Sequence, residues 1–208
     1  MTTFTPLAPS APPGTTVAKQ VEEGGVAVPS RTVADVLFRS TATAPLWLVV
    51  RLWLGYQWFV AGWNKLNADG RWFGDAPALK GFVGGADAKW ANRAEAHGHP
   101  AVHYAWFLDF LHFIGDRAWL FGPLIVIGEL LIGLGLIAGV ATRWAALAAV
   151  ALNIMYVTGG SAGVNGIYIA LAVLLICAWR VAGHLGGDRF IVGRLDRVGR
   201  LDRHHAAA

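Results

Sequence analysis

The chain has 208 residues, of which 55% are apolar and only 14% charged, with 26 glycines besides; a soluble domain usually carries about 25% charge. With a mean hydropathy of +0.48, most of the length cannot be a water-facing surface, and there is room for one membrane domain of about four helical spans of about 20 residues each. The net charge is +4 and the only cysteine is Cys177, which excludes disulfide frameworks, thiol relays and thiolate-ligated clusters within one chain. The basic residues cluster beside apolar segments, as orientation signals do, so the expected partner is membrane lipid and not nucleic acid.

Residues 1–44 are rich in Thr, Pro, Ala, Gly and Val without helical or strand period, and predict a disordered cytoplasmic tail. The start MTTFTPLAPSAPPG has neither the basic opening nor the apolar core of a cleaved signal. Behind Pro45 a first span is predicted from Leu46 to Leu66, carrying Arg51 and Lys65. Residues 67–117 form a loop too long to be a simple connection. Its first part is polar and broken by glycine. Its second, AVHYAWFLDFLHFIGDR, sets Asp109, His112 and Asp116 on one stripe among aromatic residues, the pattern of an amphipathic helix lying at the outer membrane face.

The second predicted span, Ala118 to Gly139, holds Glu129, the single acid expected within the bilayer. The third, Ala141 to Thr158, holds Asn153; the fourth, Gly163 to Gly183, holds Cys177. Residues 193–208 form a basic cytoplasmic tail, and DRFIVGRLDRVGRLDRHH reads as a short helix on the anionic inner leaflet. The expected fold is therefore an all-α integral membrane four-helix bundle, with a long outer loop between spans 1 and 2 that carries an interfacial helix. With the N-terminus inside, eleven of the 17 Lys and Arg residues fall on the inner side, and six, Lys65, Arg71, Lys80, Lys89, Arg93 and Arg117, on the outer. Both termini should then be cytoplasmic, in the plasma membrane.

Ionisable groups in a bilayer face the bundle interior and mark candidate sites. Arg51, Gly55, Gly62 and Lys65 share roughly one helical face. Counting about 1.5 Å per residue from the outer ends places Glu129 near Gly55 and within reach of Arg51. Two readings stand for that pair: the charges neutralise each other, or they serve proton transfer and the binding of a polar head group such as a quinone carbonyl. Lys65 reads as an interface anchor or a ligand-binding group. Asp109 with His112 reads as a proton relay at the membrane surface or a solvated face.

Gly128, Gly135 and Gly139, with Gly133 nearby, thin the second span for helix packing. Trp47, Trp63, Trp72, Trp119 and Trp144 suit interface belts. No histidine lies in mid-span, so no haem is expected, and His97, His99 and His103 lack a convincing ligand spacing, so no bound metal is expected either. GGSAG around Ser161 matches GxSxG, but in a turn between two spans it reads as a chance match.

The run RLWLGYQWFVAGWNKL, followed after the insertion by IVIGELLIGLGLIAGVATRWAALAA, resembles the DoxX/DoxD family of small four-helix membrane proteins over about residues 45–192. The family's pattern falls on Arg51, Gly55, Gly62, Lys65, Glu129, Leu130, Gly133, Gly139, Thr142 and Arg143. AWRVAGHLGGDRF further resembles the DoxD-type branch, the large subunit of quinone-linked thiosulfate dehydrogenase. The resemblance implies a redox subunit passing electrons from a small sulfur anion to a membrane quinone as acceptor, together with a small second subunit or other redox proteins. Glu129 and Arg51 would then bind or protonate the quinone, and Lys65, Arg71 and Arg117 would attract the dianion, with Asp109 and His112 beside them. The competing expectation is a noncatalytic scaffold or assembly partner of a redox or oxidative-stress complex.

Overall fold

A computed structural model describes residues 32–95 and 101–189. Among these every regular element is a helix, with no strand; the α-helices are α1 (Val33–Arg39), α2 (Ala44–Leu66), α3 (Pro77–Ala91), α4 (Ala105–Asp116), α5 (Ala118–Ala138), α6 (Thr142–Thr158), α7 (Asn165–Cys177) and α8 (Trp179–Ala182). The four segments expected as spans form the helices α2, α5, α6, and α7 with α8. The tail expected through residue 44 gives way to helix at Val33, earlier than its composition suggests. Trp47 explains this: its indole N–H donates to the Leu37 carbonyl at 2.8 Å and its ring stacks on Phe38, so α1 folds against α2. Trp47 is thus buried and is not part of an interface belt.

Among the described residues, only α5 is long and apolar enough to cross a membrane alone; α1 with Thr41–Leu66 qualifies only as a pair broken by 65°. The cause lies in composition and length. α2 carries Arg51 and Lys65, while α6 and α7 are 17 and 13 residues long. The four helices bury one shared core that includes Leu54, Trp58, Leu136, Ala149 and Leu175.

The tightest crossing joins α2 to α5. A Cβ placed on Gly133 would lie 2.5 Å from the Phe59 backbone nitrogen, and one on Gly62 would lie 3.1 Å from the Glu129 Cβ. Small residues let backbones approach in this way where the solvent is as apolar as the side chains. The expected packing role therefore falls chiefly on Gly133, whereas Gly128 has only the tip of Leu152 within 4.0 Å.

This crossing also fixes register. Gly62 lies beside Glu129 and Leu130, Gly55 beside Gly133 and Leu136, and Gly139 against the Arg51 guanidinium. The two helices do not end level, as the depth count assumed; α5 starts about two turns beyond the end of α2. Those turns sit in the insertion, where Ala118 packs with Ala76, Leu79 and Ile114.

The insertion is more ordered than its sequence suggests. α3 forms where a glycine-broken loop was expected, because one side of it is buried on α4: Val83 and Ala86 pack with Phe107, Leu108 and Leu111, and Leu79 packs with Ile114. α4 is the expected amphipathic helix: Asp109, His112 and Asp116 are exposed, as are Trp106, Phe110 and Phe113. Lys89 ties α3 to the α6–α7 turn by donating to the Gly160 carbonyl at 2.9 Å.

At the opposite end of the bundle, residues 183–188 fold back on the α5–α6 turn. The Asp188 carboxylate accepts from the backbone N–H groups of Ala141 and Thr142 at 2.6 and 3.0 Å, filling orphan donors at the start of α6. The Gly187 and Asp188 N–H groups donate to Ala138 and Gly139 carbonyls at 3.1 and 2.7 Å.

Candidate functional site: a polar cavity in the bundle

Lys65, in the last turn of α2, donates to both oxygens of Glu129 on α5, at 2.8 and 2.6 Å. The Tyr156 hydroxyl on α6 donates to Glu129 Oε1 at 2.7 Å. Three helices thus converge on one carboxylate that is 1% exposed, while the Lys65 side chain keeps 20% exposure. The ammonium also lies 5.1 Å from the Trp72 ring centroid and 5.8 Å from that of Tyr156, where the ring faces favour a cation. A buried charge persists only when so paired and hydrogen-bonded.

This cluster forms one wall of a cavity of about 270 Å³. Trp58, Phe82, Tyr156 and Tyr168 give it aromatic surfaces, and Gln57 and Asn153 add amides. Phe82 reaches in from α3 and meets Tyr156 edge to face at 6.0 Å. Gln57 donates to the Tyr168 hydroxyl at 2.8 Å. Among the described residues, Asn153, 1% exposed, has no partner for either amide atom, and neither does the indole N–H of Trp58, 4% exposed. The cavity is sized for a small ring, its titratable wall can exchange protons, and two of its buried side chains retain hydrogen-bonding capacity.

The expected pairing of Arg51 with Glu129 is overturned. Arg51 lies near the other end of the crossing and is committed to backbone oxygens, Nη1 donating to Ala182 at 2.7 Å and Nη2 to Leu185 at 3.3 Å. The two-turn offset of α5 is the physical reason. Lys65 is not an interface anchor but the partner of Glu129. The Asp109–His112 relay is likewise not formed: His112 Nε2 meets Asp87 on α3 at 2.8 Å. Arg71 is exposed, and Arg117 lies over the Phe113 ring at 4.1 Å; neither lines the cavity. Ser161 does line it, in a turn with no strand-to-helix elbow, while His97 and His99 lie outside the described residues.

Tyr156, Trp58, Gln57 and Tyr168 were not singled out by sequence. Asn153 carried a usable signal, as a lone amide in an apolar span.

A helical bundle with a buried ion pair beside a ligand-sized polar cavity defines a helical protein with an interior site. The family model described as DoxX matches residues 46–162, more than half of the chain, and the chain belongs to this membrane family. No curated protein and no solved structure matches it. The matched stretch includes Lys65, Glu129, Asn153 and Tyr156, and ends before α7.

Proposed function

We propose that the chain is the membrane subunit of a quinone-linked oxidoreductase of the DoxD type, in which electrons originate on a small sulfur anion, thiosulfate by resemblance. The observation that supports this is the aromatic-walled cavity beside Glu129, where two buried polar side chains are left unpaired. Those residues fit a quinone head group, which takes up two electrons and two protons when it is reduced.

Glu129 holds protons at that place. Its carboxylate gathers the Lys65 ammonium and the Tyr156 hydroxyl, so a proton passed inward from either can be replaced from the more exposed Lys65 side. Arg51 contributes by holding α2 against the turn after α8. The electrons come from a partner, a small second subunit or another redox protein. Arg71 and Arg117 bias the insertion side toward a dianion, whereas the Lys65 charge is taken up by Glu129; Asp109 and His112 lie on the exposed face of α4, where such a partner would dock. The four bundle helices cross the plasma membrane with both termini cytoplasmic, which places the insertion outside.

The test is thiosulfate-dependent quinone reduction in membranes that contain every copurifying partner. Folded Glu129→Gln, which keeps size but loses charge and proton exchange, should lower that rate about a hundredfold. Wild-type membranes with no such activity would replace this reading by that of a scaffold.

A further inference from the structure

The Lys65–Glu129–Tyr156 cluster is internally satisfied, so it does not explain what else the cavity recognises. Of its other polar groups, the half-buried Gln57 is taken up by Tyr168. Asn153 and Trp58 remain, each buried, each lining the same space, and neither with a hydrogen-bond partner. Native interiors leave few such groups, because an unpaired buried donor or acceptor forfeits its bonds to water without replacement. Both residues belong to the bundle core and come from different helices, α2 and α6, so one strained loop does not account for them.

The chemistry of the occupant follows from the lining. Lys65 and Glu129 cancel, and no other lining residue is charged, which gives an anion no net attraction there. The aromatic walls suit a flat ring. Trp58 offers a donor only, whereas the Asn153 amide offers both a donor and an acceptor. An amide of this kind serves a ring oxygen as a carbonyl and also as a hydroxyl, the two forms that reduction interconverts.

We infer that Asn153 and Trp58 hold the ring oxygens of an uncharged, planar, carbonyl-bearing ligand in this cavity, and that the sulfur anion binds elsewhere. This rests on the quinone reading above.

The full chain, purified in detergent, would be titrated with a short-tailed benzoquinone by calorimetry, alongside Asn153→Leu and Trp58→Phe. Each variant should bind about tenfold more weakly. Asn153→Leu should melt no lower than wild type, because it replaces an unsatisfied polar group by an apolar one of similar size. Thiosulfate should not displace the quinone. Trp58→Phe, which keeps an aromatic ring but removes the N–H and part of the bulk, decides the matter should Asn153→Leu fail to fold. Wild-type protein that does not bind the benzoquinone overturns the quinone reading and this inference together. Binding by wild type that both variants reproduce within twofold, or that thiosulfate competes away, overturns this inference and leaves that reading standing.

Discussion

Glu129 and Arg51 are both buried charges on facing helices, yet they belong to separate networks. Removing Lys65 by Lys65→Met should strand the Glu129 carboxylate and lower stability by about 3 kcal/mol, and adding Glu129→Leu should restore much of it. Arg51→Met combined with Glu129→Leu should instead give additive losses, since the two share no partner. Thermal melts of the purified variants in detergent distinguish coupling from additivity. Glu129 itself was legible in the sequence, because a single acid in the spans is conspicuous. Its partner was not, because depth counted from helix ends assumes that the ends are level. Tyr156 and Trp58 were invisible for a different reason: aromatic residues in a span are ordinary, and only convergence in space distinguishes these two.

Among the helices, the four main segments were read to within a few residues, because each is bounded by Pro, Gly or charge. α3 was missed because Gly81, Gly84 and Gly85 depress helix propensity, while the buried stripe that overrides them needs α4 to exist. The α2–α5 crossing depends on the absence of one side chain. Gly133→Leu should therefore abolish most folded protein, since the Phe59 backbone it meets cannot yield. Gly128→Ala, facing open space on the same helix, should melt at the same temperature or higher. The monodisperse fraction on size exclusion, with melting temperature, reads both.

For the molecule as a whole, Lys/Arg counting predicts an orientation with both termini cytoplasmic, and the structure offers exposed positions at which to check it. In a Cys177→Ser background, a cysteine at Ala91, at the end of α3, should react with an impermeant reagent added to intact cells. One at Thr41, before α2, should not; the reverse pattern would invert the topology. The Arg51 contact adds a consequence for biosynthesis. Its acceptor carbonyl on Ala182 is 131 residues further along the chain. At a translation rate of about 5–20 residues per second, that is a wait of roughly 7–26 s. Through that interval the guanidinium of the first long helix has no native acceptor. The contact that fixes α2 against this end of the bundle can therefore form only after α8 has been made.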